Sequence, residues 1–221
     1  MFVTDVEHPE LAPDDRHHLE RVLRLRPGDE LTVADGLGRL RLCRFGAEVQ
    51  PDGDIEIVVP PVPEITLAFA LTKGERPEWT VQKLTEVGVD RIVPFVSARS
   101  IVRWDDAKAT RNAERLRRVA REAAMQSRRA FLPAVEDVTQ FDDVAGRPGA
   151  ALAERGGTRP DLAHSCLLVG PEGGWTDEEL SAGLSRVTLG PTVLRAETAA
   201  IAGSVVLAGL RAGLLETPDW H

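Results

Sequence analysis

The chain has 221 residues, 43% of them hydrophobic and 28% charged, with a formal net charge of -8 at pH 7. That length exceeds a typical domain of roughly 100 to 150 residues and the composition is ordinary for a globular fold, which excludes a disordered chain and fits one large or two modest domains. Cys43 and Cys166 lie far apart without CxxC or Cys/His zinc spacing, which argues against a structural disulfide or a metal site, and the acidic balance argues mildly against nucleic acid while leaving local basic faces open.

Residues 1–62 read as a small β domain. Phe2, Val3 and Val6 suggest an opening strand, and Pro13, Asp14 and Asp15 lead into a short helix with Leu19, Val22 and Leu23 at helical spacing, ended by Pro27 and Gly28. Leu31 to Ala34, a turn at Asp35 and Gly36, and Leu40 to Phe45 predict a hairpin, and Ile55 to Val59 closes the group. Pro60, Pro61 and Pro63 then mark a stiff linker and the domain boundary. No basic and apolar signal segment precedes the first strand, which makes the cytoplasm the expected location.

From residue 63 to residue 221 strands alternate with helices, the signature of an α/β domain with a largely parallel sheet. Ile65 to Leu71 and Ile92 to Val96 read as strands around a helix from Glu78 to Val87 that Gly88 caps. Thr110 to about Arg129 is a longer helix, with Leu116, Val119, Ala120 and Ala123 as one stripe and a face of arginines opposite. Ala150 to Ala153 is a further short strand.

Two units of strand, glycine loop and helix follow. Cys166 to Val169 is uncharged, as in a strand buried on both faces, and runs into Gly170, Pro171, Glu172, Gly173 and Gly174. Thr176 with Glu179 forms a capping box that starts a helix. The plan recurs where Val187, Thr188 and Leu189 meet Gly190 and Pro191, and Glu197 opens a helix with no charge from Thr198 to Leu210. That stretch is too short to span a bilayer, which takes about 20 apolar residues, and so predicts burial within the protein and partly against a partner.

Several patterns carry no chemistry. Gly36 and Gly38 lack the third glycine of a dinucleotide fingerprint, and no Walker loop is present. His17 and His18 point to different helix faces and read as polar surface. Lys73, Lys83 and Glu86 serve either RNA or helix-face ion pairs.

GPEGG followed by an aromatic residue and a capped helix, then LG, two variable positions and VLRAETA, resembles the signature of the RsmE family of small-subunit ribosomal RNA uridine N3 methyltransferases, of the SPOUT class. HHLERVLRLRPGD and WTVQKLTEVGVDRIVPF resemble the family's amino-terminal and central patterns, so the likeness covers the whole chain. Met125 and Arg128 stand where an acidic residue and a glycine are usual, and Pro191 and Thr192 where a more basic pair is usual.

The resemblance implies a PUA-like β-barrel over residues 1–62, which binds RNA, and a SPOUT domain over 63–221 whose carboxyl-terminal chain forms a trefoil knot. It implies S-adenosyl-L-methionine as methyl donor, held by Leu168, Gly170, Glu172, Gly173, Gly190, Val193, Leu194 and Ile201. Arg195 is expected to stabilise the uracil anion, with Glu197 or Glu172 orienting it or taking the N3 proton. RNA contacts are expected from Arg16, Arg21, Arg24 and Arg26, from Lys73, and from the arginine helix with Gln126 and Arg128 at its end. Ribosomal RNA or the assembled small subunit is the expected partner, the protein acting as a homodimer without a membrane. Two other readings remain at this level: a SPOUT enzyme acting on a ribose 2′-hydroxyl, or a non-catalytic RNA-binding assembly factor.

Overall fold

The computed structural model describes residues 1–74, 76–102 and 104–216. The chain divides into two compact units: Met1–Pro60 with Ala124–Leu132, and Pro61–Ala123 with the chain from Pro133 onward. Residues 124–132 thus return to the first unit, although in sequence they continue a helix of the second.

In the first unit β1 (Glu30–Ala34), β2 (Arg39–Arg44) and β3 (Gln50–Ile57) form an antiparallel sheet in that order. Ala34 faces Leu40 across the predicted turn, and the Asp35 carboxylate accepts hydrogen bonds from the Leu37 and Arg39 amides at 2.7 and 3.1 Å. The helix α1 (Pro13–Arg21) has proline in its first turn and Asp14 and Asp15 near its positive end, both favourable there. Leu19 packs with Val3, Val6, Val33 and Phe45. The opening segment differs from the expected strand: it makes only an isolated bridge from Phe2 to Ala34. Val22 and Leu23 also fall outside the helix and are 63% and 56% exposed. The chain hooks back there, with Arg24 at φ +58° and the Leu25 amide bonded to the Leu19 carbonyl.

The second unit is a parallel sheet. Its strands are β4 (Thr66–Ala70), β5 (Arg91–Val96), β6 (Ala134–Val135), β7 (Thr139–Gln140), β8 (Ala150–Thr158), β9 (Cys166–Val169) and β10 (Ser185–Val187). The order is β10-β8-β9-β4-β5-β6, with β7 also on β5. β4 and β9 are buried at every position, which is why they read as uncharged runs rather than alternating ones. β10 lies earlier than the predicted 187–189.

Helices α2 (Arg76–Val87), α3 (Asp106–Gln126) and α6 (Ala196–Arg211) contribute to the core on one face of the sheet. Val81, Leu84, Leu116, Ala120, Ala200 and Leu207 bury against Leu67, Phe69 and Leu167, each large side chain contributing about 1.5–3 kcal/mol. α4 (Phe141–Ala145) and Trp175 cover the other face, packed on Phe95, Leu152 and Leu168. Arg211, in the last turn of α6, donates to the Pro63 and Gly88 carbonyls and to the Asp90 carboxylate, which ties the helix end to the start of the sheet. Among the described residues no helix is long and apolar enough to cross a membrane.

At its end α3 closes by bonds from the Arg129 amide to the Ala124 carbonyl and from the Arg128 amide to the Met125 carbonyl. This helix stop places its penultimate donor in the left-handed region, and Arg128 has φ +56°. The usual glycine at this position therefore has a physical reason, and the arginine carries a conformational cost.

Because all the strand pairs are parallel, the carboxyl ends of β8, β9 and β4 lie along one edge. The chain moves outward from β4 to β5, then returns on the other side through β8 and β9, and such a reversal opens a crevice at that edge.

Candidate active site

Two loops leave this edge. The first, residues 170–175, is set by packing. Trp175 is 5% exposed and stacks on Phe95 with ring centroids 6.2 Å apart, and its indole donates to the Ala153 carbonyl at 3.2 Å. Gly170 lies flat against that indole: a Cβ there would meet ring carbon Cε2 at 2.9 Å. The loop ends in α5 (Asp177–Leu180), where Thr176 and Glu179 form the predicted capping box.

Glu179 does more than cap. Its Oε1 accepts from the Ser97 hydroxyl at 2.7 Å and the Ala98 amide at 3.0 Å, just after β5, while Oε2 accepts from the Thr176 amide at 2.8 Å. Burial alone would raise its pKa, but the Thr176 and Ala98 amides and the Ser97 hydroxyl outweigh it and hold the carboxyl below its ordinary value.

The second loop, residues 189–195, has fewer anchors. Thr188 donates through its hydroxyl to the Gly190 carbonyl at 3.3 Å, Gly190 has φ +146°, and Val193 is 77% exposed. Arg195 is the N-cap of α6 and makes no side-chain capping bond, since a guanidinium has no acceptor to offer the helix amides.

Between the loops lies a cavity of about 480 Å³, lined among others by Val169, Gly170, Glu172, Gly190, Leu194 and Arg195. Val193 lines it as well. Its size is within the usual range for a small-molecule site, and its walls join aliphatic groups to backbone amides and carbonyls. Trp175, Leu189 and the Ala153-Glu154-Arg155 middle of β8 also line it. Sequence reasoning missed Glu154 and Arg155 because β8 runs past the predicted 150–153; the Glu-Arg pair after a buried run was the available signal.

Three residues expected at the cofactor do not line the cavity. Leu168 is fully buried on the opposite face with Phe95 and Trp175, because successive strand residues point to opposite sides, and Val169 takes its place. Gly173 instead offers its carbonyl to Arg99 at 3.0 Å. Ile201 is turned away on α6, whose Ala196 and Ala199, one helical turn apart, face the cavity.

A charged cluster joins the loops. Arg76, at the start of α2, donates to Glu172 Oε1 at 2.6 Å, and its Nε lies 3.9 Å from Glu197 Oε1. Glu197 Oε2 is buried and has no hydrogen-bond partner among the described residues. Glu172 and Arg195 line the cavity, while Glu197 lies beside Arg76 and does not line it. Arg76 was not anticipated from sequence; it acts on a residue 96 positions away.

The residues assigned to RNA are divided. Arg16 is committed within the first unit, donating to the Gly46 and Ala47 carbonyls at 2.8 and 3.0 Å and lying 5.5 Å over the Phe45 ring. Arg21, Arg24, Arg26, Gln126 and Arg128 are exposed in that same unit, whereas exposed Lys73 belongs to the other. On the arginine helix, Arg115 pairs with Glu78 and Arg117 with Asp137, so part of that face serves the fold. Lys83 is a helix-face pair with Glu86.

Comparison with known proteins bears on this geometry. Residues 60–208 match the model of an RNA methyltransferase domain, and residues 11–50 that of an RNA methyltransferase PUA domain. The ribosomal RNA small subunit methyltransferase E of Mycobacterium tuberculosis is 37% identical over 211 residues, 85% of this chain and 80% of that protein. A crystal structure of the same-named enzyme from Neisseria gonorrhoeae, bound to S-adenosyl methionine, is 28% identical with a TM-score of 0.78, covering 95% of this chain and 96% of that one. A Legionella pneumophila methyltransferase structure in complex with SAM, 28% identical, has a TM-score of 0.81 and covers 96% of each chain.

Proposed function

The chain belongs to the family of the ribosomal RNA small subunit methyltransferase E proteins, and from that premise we propose that it methylates N3 of a uridine in small-subunit ribosomal RNA with S-adenosyl-L-methionine as donor. The observation that carries the reading is the cavity between the two glycine loops, with Glu172 and Arg195 in its wall.

The residues present fit the cofactor. Val169, Leu189 and Leu194 supply an apolar slot for an adenine, and Gly170 and Gly190 bring backbone groups close enough to read its edge. The first amides of α6, left open by an N-cap without a side-chain bond, suit a carboxylate, and Glu172 offsets a sulfonium charge. When bound, S-adenosylmethionine supplies the methyl group: a bond forms from uracil N3 to the methyl carbon as the sulfur–methyl bond breaks and its electron pair returns to sulfur.

The protein's own residues prepare the acceptor. Uracil N3 carries a proton at neutral pH, so a base and a cation are needed. Glu172, half-exposed and in the cavity wall, accepts that proton and passes it to solvent, while Arg195 stabilises the negative charge on the ring. Glu197 is too enclosed to reach a base and instead orients Arg76. Holding the reactants in line supplies much of the acceleration, since effective molarities reach about 10⁵ M or more.

Residues 1–62 are a PUA-like RNA-binding domain in this reading, and Arg21, Arg24, Gln126 and Arg128 contact phosphates, each of the three arginines adding about 0.7 to the slope of log affinity against log salt. The trefoil knot belongs to the same reading, supported by a strand order that inserts β9 between β8 and β4 before the chain returns through 189–195 to α6. A homodimer is supported by the uncharged stretch of α6, which leaves Val205 49% exposed. The cytoplasm, where ribosomal subunits are assembled, is the location that follows.

Incubation with labelled S-adenosylmethionine and small subunits lacking the modification, followed by nucleoside analysis, tests this. Label in N3-methyluridine is expected. Label in a ribose-methylated nucleoside, or no binding of the cofactor, overturns it.

A further inference from the structure

A second cavity of about 410 Å³ lies at the carboxyl end of β4 and shares Glu172 and Arg195 with the first. Leu71, Thr72, Lys73, Arg76, Ile101 and Val102 complete its wall. Thr72 is 4% exposed, and its hydroxyl is buried without a hydrogen-bond partner among the described residues. A buried hydroxyl is normally paired, so one left open in a cavity wall points to a ligand that pairs it.

The wall is specific about the ligand. Lys73, Arg76 and Arg195 outweigh Glu172, which calls for an anion or for carbonyl acceptors. Leu71, Ile101 and Val102 offer apolar contact to the faces of a flat ring. The Thr72 hydroxyl both donates and accepts, as does an edge that alternates carbonyl and N–H. Uracil presents that edge, with N3 between two carbonyl oxygens. Cytosine lacks the N3 proton and turns an amino group toward the cations.

We infer that this second cavity receives the unstacked target uracil, with Thr72 and Arg76 reading its carbonyl and N–H edge beside the donor cavity. The inference rests on the reaction proposed above. Arg76, already fixed between Glu172 and Glu197, presents its cation to the ring without reorganising, which favours the uracil anion formed when N3 loses its proton. Discrimination against cytosine follows from the same groups, because its 4-amino group sets a donor against the cations where uracil offers the O4 acceptor.

Two measurements on the full chain test this. In methyl spectra titrated with uridine 5′-monophosphate, shifts are expected at Leu71, Ile101 and Val102, and smaller ones with cytidine 5′-monophosphate. In single-turnover methylation with saturating RNA, Thr72→Val and Arg76→Met should slow transfer by about tenfold or more while calorimetric cofactor affinity stays within about twofold. Arg76→Lys should recover part of the rate, and Arg76→Met should move the alkaline rise of the rate to higher pH, which a purely structural role would not do. Thr72→Val should melt no lower than the parent, since it removes an unpaired hydroxyl.

Variants that methylate at the parent rate, or lose cofactor affinity in step with rate, overturn the site. So do nucleotide shifts confined to Val169, Val193 and Leu194. Labelled N3-methyluridine with unaffected variants leaves the reaction standing and removes the site; nucleotide shifts at Leu71, Ile101 and Val102 from a protein that makes no N3-methyluridine do the reverse.

Discussion

The 170–175 loop is held from both sides by buried groups, Trp175 within the Phe95 and Phe141 cluster and Glu179 across the end of β5. The 189–195 loop has the same sequence plan but ends in an N-cap without a side-chain bond and leaves Val193 exposed. One loop is therefore part of the core, whereas the other is fixed chiefly by the helix it starts. Substitutions in the first should act on folding and binding together, and those in the second on binding and chemistry with folding spared.

The largest contrast is expected between Trp175→Ala and Val193→Ala. Trp175→Ala should cost about 3–5 kcal/mol by denaturant unfolding, as for other buried aromatics, and Val193→Ala within about 0.5 kcal/mol. Equal losses would show that the two loops are held alike.

Glu179→Ala should cost about 3 kcal/mol, because the Ser97 hydroxyl and two amides lose their acceptor in a buried place. Its folded pKa is lowered, so the carboxylate's contribution is complete above the unfolded value near about 4.3 and is lost as pH falls through the folded one. Glu179→Gln should accordingly flatten the acid limb of a stability–pH curve. An unchanged limb would mean the proton balance lies elsewhere.

The glycines sharpen the comparison at smaller scale. Gly170→Ala drives a methyl into the Trp175 ring and should cost about 1–3 kcal/mol with loss of cofactor binding. Gly190→Ala meets open space but keeps an unfavourable φ, so about 1 kcal/mol is expected, and calorimetry alongside melting distinguishes the two. Smallest in stability are the caps: Thr176→Ala should cost about 1 kcal/mol, while Arg195→Ala should stay within about 0.5 kcal/mol yet slow methyl transfer sharply.

Local chemistry determined a large part of this protein. The uncharged run from Cys166 to Val169, the Thr176–Glu179 box and the turn at Asp35 each carry their conformation in adjacent residues, because burial pattern, capping and turn hydrogen bonds act over a few positions. The two glycine loops were legible for the same reason, whereas Glu172 and Arg195 were singled out within them by the family resemblance, and both line the cavity.

Other features were decided only by the tertiary structure. Alternation along β9 separates Leu168 from Val169, but which of the two faces the cavity depends on where Phe95, Trp175 and α6 pack. Residues 124–132 begin inside the last turn of α3 yet belong to the other unit, which helix periodicity does not encode. Arg76 reaches Glu172 across 96 positions, since side chains brought together by a folded sheet have no common sequence spacing. The second cavity is the extreme case: Thr72, Ile101, Glu172 and Arg195 form one wall only once β4 and β9 lie side by side.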